Sequence, residues 1–273
     1  MLKGQGKEGV LTVLLTQCYS GGIEGKYEED ETVMDAAVLA HRLTEWVKQQ
    51  VTAARARGVV FGLSGGLDSA VVAGLAKKAC PESSLAVIMP CYSASEDAEH
   101  ARLVAGRFGL PVYEVLLDQV YDAFLARLAE VEQALPKKMA KANVKSRLRM
   151  VTLYYLAAQH QYLVVGSSNK SELTVGYFTK HGDVGDILPL GNLVKRQVRE
   201  LAHYLEVPEE IITKPPSAGL WAGQTDEAEM GFGYDDLDCF IQTGQASATV
   251  AQRILKLKQR SQHKRQLAPR PDF

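Results

Sequence analysis

The chain has 273 residues, enough for one large α/β unit with a proper core. Hydrophobic residues make up 46% and charged residues 23%, the balance of a globular enzyme. A formal net charge of -1 argues against a protein built to coat nucleic acid or an anionic membrane, and no apolar run approaches the roughly 18 residues of a membrane helix.

Residues 1–31 are glycine-rich and then acidic, without a clean period, and are expected to form a loosely ordered extension ahead of a single unit over 32–273. Apolar residues from Val33 to Val51 recur at helical spacing, which predicts a helix over 32–56 that Gly58 would end. Three strand–helix units are then expected: 59–63 with 68–79, 85–89 with a helix up to Phe108, and 112–117 with 119–135. The second of these helices would open on a Ser93–Glu96 capping box and close at Gly109. A basic break at 136–141 precedes a helix over 143–161 and a fourth strand over 162–166. Beyond it come a short helix at 170–178, a glycine-bearing loop at 179–191 and a helix at 194–205 stopped by Pro208. A rigid turn at 214–219 and helices at 235–244 and 246–262 complete the chain. Strands alternating with helices predict a doubly wound parallel sheet with helices on both faces, a Rossmann-like α/β fold with its ligands beyond the carboxyl ends of the strands.

The four cysteines, Cys18, Cys80, Cys91 and Cys239, are scattered with no C-x-x-C pair. That pattern disfavours zinc or iron–sulfur ligation and suits a reducing, cytoplasmic compartment.

The chemistry concentrates in Val59–Ala79, where an apolar run ends in Gly62-Leu63-Ser64-Gly65-Gly66-Leu67-Asp68-Ser69 and a helical segment follows. Strand, glycine loop and helix N-terminus together make a cradle for phosphate, since backbone N–H groups and the helix dipole both face an anion. Gly65-Gly66 would also suit a plain tight turn, with Asp68-Ser69 as a helix cap. The lysine of the common nucleotide loop is absent, however, and Asp68 sits where phosphates approach. A carboxylate beside phosphates makes sense with Mg²⁺ between them, because that ion is typically held by one or two carboxylates, phosphate oxygens and water. A loop that holds pyrophosphate as the leaving group would then support attack on the α-phosphorus, giving an adenylate.

Ser64–Ser69 resembles the signature of the adenine-nucleotide pyrophosphate-releasing superfamily (the adenine nucleotide alpha hydrolase-like fold). Later segments narrow the resemblance to the ammonia-dependent NAD synthetases: G-S-S-N-K-S-E (166–172), G-Y-F-T-K-H-G-D (176–183), D-I-L-P-L (186–190), L-V-K-R-Q-V-R-E-L-A (193–202), K-P-P-S-A-G-L (214–220), Q-T-D-E-A-E-M-G (224–231) and H-K-R (263–265). The resemblance implies ATP-dependent amidation of deamido-NAD with ammonia through an adenylated carboxylate, releasing pyrophosphate and AMP. It implies that Gly62, Leu63, Ser64, Gly65, Gly66, Leu67, Asp68, Ser69, Ser167, Lys195 and Ser217 bind ATP. Ser167 and Ser217 replace the threonines usual in the family. Asp68 and Glu172 would share Mg²⁺, and with Lys195 form the catalytic set. Arg147, Lys180, Asp186, His263 and Lys264 would hold deamido-NAD across a homodimer interface, with no nucleic acid or membrane partner.

Glutamine-using relatives carry an added nitrile-hydrolase-like domain, so this chain is expected to use free ammonia, or ammonia supplied by a partner. Some of these residues also have blander readings: Glu172 suits a solvated helix face, and His263 lies in a basic run that suits one equally. Two rivals use the same loop. A tRNA-modifying adenylating enzyme would be expected to bring an RNA-binding module and a cysteine pair, and a decayed nucleotide-binding protein would not be expected to keep Asp68, Glu172, Lys180 and Lys195 together.

Overall fold

Four strands lie side by side, all parallel. β1 (Gly58–Gly62) sits between β2 (Ser84–Ile88) and β4 (Tyr162–Val165), and β3 (Val112–Glu114) flanks β2, giving the order β3-β2-β1-β4. Val60 pairs in register with Leu85 on one side and Val164 on the other. The computed structural model describes residues 35–183, 185–221 and 223–272, so the expected extension over 1–31 and Cys18 lie outside the described residues.

Because successive strand residues point to opposite faces, the sheet feeds two cores. Val59, Phe61, Ala86 and Ile88 pack on one face with helices α1 (Ala36–Ala53), α2 (Leu67–Ala79) and α3 (Ser95–Phe108). Val60, Leu85, Val87 and Val164 pack on the other with α4 (Asp118–Ala129) and α5 (Lys138–His160). Helices therefore cover both faces, as the alternating pattern predicts. A third cluster of Val175, Met230, Tyr234, Leu237 and Ile254 joins α6 (Lys170–Val175), α10 (Tyr234–Thr243) and α11 (Ala248–Arg260). It anchors the segment that follows β4. The chain leaves β1 over one face through α2 and reaches β4 over the other through α4 and α5. A crevice opens at the carboxyl ends of β1 and β4, where such connections diverge.

Several boundaries depart from the pattern for identifiable reasons. The first helix stops at Ala53, and Gly58 opens β1 instead of ending the helix; a Cβ there would lie 2.0 Å from the Ser83 carbonyl oxygen. Helix α3 begins at Ser95 without a side-chain cap, because the Ser93 hydroxyl faces the other way, accepting from the Cys91 N–H at 3.3 Å and from Arg149 Nη2 at 3.2 Å. β3 ends at Glu114, yet the chain keeps tracking β2 through Val115 N–H to Ile88 and Leu117 N–H to Pro90, both 2.9 Å. The basic break is partly absorbed into α5, which starts at Lys138, and α4 closes at Ala129. Helix α6 closes at Gly176 (φ 72°), where a Cβ would meet Ser261 at 2.1 Å.

Helix α7 (Lys195–Tyr204) ends before Pro208, which instead caps α8 (Glu209–Ile212). Two other short helices, α9 (Asp226–Met230) and α12 (Gln262–Arg265), had no separate signal in the pattern. Among the described residues no helix is long and apolar enough to cross a membrane, and Cys80, Cys91 and Cys239 are free thiols.

Candidate active site

The glycine loop that leaves β1 is braced from inside by two hydroxyls. Ser69 Oγ accepts from the Ser64 N–H at 3.2 Å and donates to the Gly66 carbonyl at 2.9 Å, while Ser64 Oγ accepts from the Gly66 N–H at 3.3 Å. Gly66 caps α2 without a side chain, so the first-turn N–H groups remain available to an anion. Gly65 has φ 75°, and a Cβ on it would lie 2.3 Å from the Asp97 carbonyl oxygen, so α3 seals the back of the loop. Gly65→Ala should therefore push loop and α3 apart and, if the loop holds ATP as the sequence leads one to expect, weaken ATP binding by about tenfold or more, checked by calorimetric titration with ATP.

Opposite the loop, charged side chains converge from three elements. Asp68 projects from the first turn of α2, and Asn169 Nδ2 donates to its Oδ1 at 2.9 Å. Asn169 also caps α6 reciprocally with Glu172: its Oδ1 accepts from the Glu172 N–H at 3.0 Å and its own N–H donates to Glu172 Oε2 at 3.2 Å. The asparagine thus fixes both carboxylates. Lys195, at the start of α7, bonds Asp68 Oδ2 and stands 3.8 Å from Glu172 Oε1. Its backbone N–H donates to Ser171 Oγ at 3.2 Å, and Ser171 Oγ donates to Asp238 Oδ1 at 2.5 Å. The second Asp238 oxygen accepts from the Arg196 N–H at 2.8 Å, so α10 pins the start of α7.

The electrostatics of this cluster are unbalanced toward negative charge. Burial, reinforced by the charge of Asp68 and only partly offset by Lys195, raises the Glu172 carboxyl to about 8. Burial alone would depress the Lys195 ammonium, but Asp68, Glu172 and Asp226 outweigh it and hold the group above its ordinary value. Asp226 is 4% exposed, and its carboxyl is raised mainly by burial. Its Oδ2 accepts from Tyr234 OH at 2.9 Å, while its buried Oδ1 has no hydrogen-bond partner. Three acids thus share one lysine, and an additional cation would find a favourable potential here. No group of three or more potential ligands converges on one point among the described residues, so a metal would take two carboxylates and complete its shell from substrate oxygens and water.

Loop and cluster open into one cleft of about 790 Å³, which Ser167, Ser217, Arg149 and Lys214 also line. Residues 39–268 match the family model for NAD synthase. The chain belongs to the NAD synthase family. It is 51% identical over 231 residues, 84% of this chain and 95% of the other, to an NH(3)-dependent NAD(+) synthetase of Carboxydothermus hydrogenoformans. Among solved structures, the NMN synthetase of Francisella tularensis superposes with a TM-score of 0.84 at 41% identity, covering 88% of this chain and all of that one. The NH3-dependent NAD synthetase of Campylobacter jejuni gives 0.73 at 27% identity, with the same coverage.

Against this NAD synthase background, the expected site residues fall into two groups, with Asp186 outside both. Gly62, Leu63, Ser64, Gly66, Leu67, Asp68, Ser69, Ser167, Glu172, Lys195 and Ser217 all line the cleft, with Gly65 packed behind it. Arg147, Lys180, His263 and Lys264 gather instead at a seam between α5, the chain after α6 and α12. Arg147 Nη2 donates to the Lys180 carbonyl at 3.3 Å, and Lys180 Nζ donates to the His263 carbonyl at 2.6 Å. Lys264 Nζ donates to the carbonyls of Gly176 (2.9 Å) and Phe178 (2.7 Å), and burial pulls it below its ordinary value. Asp186 stands apart, accepting from Tyr154 OH at 3.0 Å and the Val164 N–H at 2.8 Å at the edge of β4.

The pattern missed Asn169, Asp226, Arg149 and Lys214. Asn169 was legible as a cap three residues before Glu172. Arg149 was legible from helical spacing, since Ser146, Arg149, Met150 and Leu153 form the stripe of α5 that faces the cleft. Lys214 bonds Asp97 Oδ1 at 2.8 Å and His100 Nδ1 at 2.9 Å, a contact between distant segments that left no local signal.

Proposed function

We propose that this cleft carries out the ATP-dependent amidation of deamido-NAD to NAD with ammonia. The observation that carries the reading is the glycine loop facing the Asp68–Asn169–Glu172–Lys195 cluster across one cleft in an NAD synthase chain. The chemistry needs such a cleft. A carboxylate resists a nucleophile and oxide is a poor leaving group, whereas AMP leaves readily. Loop and cluster together bring carboxylate and α-phosphorus into line, neutralise charge, and exclude water from the mixed anhydride.

In this reading the α2 N-terminus and the 62–69 loop hold the phosphates, Ser167 and Ser217 contact ATP, and Lys195 meets the phosphate charge. The surplus negative charge of the acids fits Mg²⁺, which Asp68 and Glu172 would hold; when bound, the ion supplies charge neutralisation for pyrophosphate departure. Arg147, Lys180, His263 and Lys264 form a cationic seam suited to the pyrophosphate and carboxylate of deamido-NAD, with Asp186 at its edge. A homodimer is supported by an uncovered apolar stripe: Val120 (50% exposed), Phe124 (46%) and Leu128 (42%) at four-residue spacing on α4, beside Val151 (58%) and Tyr155 (64%) on α5. A cytoplasmic enzyme fits the free thiols and the ATP requirement.

The likeness to an NMN synthetase favours a second acceptor, the deamido mononucleotide, which presents the same nicotinate carboxylate. One product assay separates the readings. Purified protein with ATP and Mg²⁺ is given deamido-NAD or deamido-NMN, with ammonium or glutamine. Equal NAD and AMP from deamido-NAD with ammonium, and little with glutamine, is the expected result. Faster turnover of deamido-NMN would transfer the reading to the mononucleotide, and no pyrophosphate release with either acceptor would refute both.

A further inference from the structure

Two cations reach the cleft from opposite faces of the sheet, and they are partnered very differently. Lys195 arrives from α7 on the α1–α2 side and is neutralised by Asp68 and Glu172. Arg149 arrives from α5 on the other face, and its hydrogen-bond acceptors among the described residues are both neutral. Its Nε donates to the Met89 carbonyl at 3.0 Å and its Nη2 to Ser93 Oγ at 3.2 Å. These two bonds fix the plane of the guanidinium at the carboxyl end of β2, and the remaining edge, Nη1, has no acceptor among the described residues. Burial pulls the group below its ordinary pKa.

The Asp183 and Asp97 carboxylates attract it from farther off, but among the described residues neither forms an ion pair with it, so its direct contacts leave the charge uncompensated, which is unfavourable. A strut to one carbonyl and one hydroxyl could be made by a neutral side chain. A positive charge held at the wall of a nucleotide cleft implies an anion that arrives with the substrates. Arg147, two residues earlier on α5, is exposed, sits in the outer seam and is the natural control.

We propose that Arg149 is a catalytic residue that binds the non-bridging oxygens of the ATP α-phosphate. The assignment rests on the amidation reading above. The α-phosphate is favoured over the substrate carboxylate because its charge persists through both steps. In the first, a carboxylate oxygen attacks the α-phosphorus and the bond to pyrophosphate breaks, its electron pair leaving with pyrophosphate. In the second, the ammonia nitrogen attacks the acyl carbon, the carbon–oxygen bond to AMP breaks with its electron pair on AMP, and the nitrogen loses a proton. The carboxylate loses its charge at the first step, while the phosphate carries charge in ATP, in the adenylate and in AMP. A planar donor fork anchored on one edge matches two phosphate oxygens on the other.

The test compares wild type, Arg149→Ala, Arg149→Lys and Arg147→Ala in pyrophosphate release, with melting temperature and with both α-thio-ATP diastereomers as probes. Arg149→Ala should lower kcat by about 10²–10³-fold, more than it raises KM for ATP. It should erase the wild-type preference between diastereomers and regain at least about tenfold in added guanidinium. Arg149→Lys should keep part of the rate, and Arg147→Ala should keep the diastereomer preference. Arg149→Ala within about threefold of wild type would overturn the proposal. So would a loss of rate with a collapsed melt, no guanidinium rescue and an unchanged diastereomer preference in Arg149→Lys, which would make the residue a strut. A wild-type protein that releases no pyrophosphate would defeat the amidation reading itself, and this proposal with it.

Discussion

Glu172→Gln should abolish amide formation and at the same time raise the melting temperature of the metal-free protein. The carboxylate belongs to a cluster in which Asp68, Glu172 and Asp226 face a single lysine, and burial with Asp68 raises its pKa to about 8. Glutamine keeps an oxygen to accept the Asn169 N–H and cannot ionise, so the cost of charging this buried carboxyl as pH rises is gone. Stability rises with pH only where the unfolded chain binds more protons. Here the relation is inverted, because between the ordinary carboxylate value of 4.5 and about 8 the native state holds a proton that the unfolded chain has lost. Wild-type stability should therefore fall across that window, and the variant should lack this part of the slope.

Melts of both proteins in chelator at pH values spanning the window would show it. The gain should be a few degrees, at about 2–4 °C per kcal/mol for a chain of this size. Activity should drop by about 10²-fold or more, since in the proposed reading one of the two carboxylates that would hold Mg²⁺ is gone. A variant that melts below wild type near pH 8 would show that the contact with Lys195 outweighs the surplus charge.

That trade between stability and function explains which parts of the molecule could be read in the sequence. The sheet and its helices were legible because β1, β2 and β4 alternate between two cores and the major helices carry an apolar stripe, as in Val59–Gly62 and 36–53. Local rules failed where a distant segment decides the outcome. Gly58 reads as a helix stop until Ser83 is placed against it, and Ser93 reads as a cap until Arg149 takes its hydroxyl. The 62–69 loop was legible because the phosphate cradle, its brace Ser69 and its acid Asp68 are contiguous. The opposing wall was not, since Lys195, Asp226 and Arg149 come from three separate stretches and meet only across the sheet. Resemblance supplied Lys195; nothing local singled out Asp226, and Arg149 left only the helical spacing of the α5 stripe as its clue.

Lys195→Met should be the most damaging single change in the cluster, and the damage should be repairable in stability but not in activity. Lys195 is 2% exposed, and methionine fills a similar volume. What it removes is the cation that Asp68, Glu172 and Asp226 share, leaving buried carboxylates without compensation. Breaking one side of such a pair costs about 3–5 kcal/mol, mostly as the penalty on the charges left behind. If that is the cause, Asp68→Asn added to Lys195→Met should regain a large part of the loss, because the cost resides in the acid and not in the missing side chain. Urea unfolding of wild type, both single variants and the double variant measures the coupling directly, and a coupling of about 1–3 kcal/mol is expected. Additive losses would mean that Lys195 acts by packing against Tyr234, whose ring lies 5.1 Å from its ammonium, and that the acids are tolerated without it. Pyrophosphate release should stay absent in the double variant, because in the proposed reading it lacks both the lysine that meets the phosphates and a carboxylate that would hold Mg²⁺.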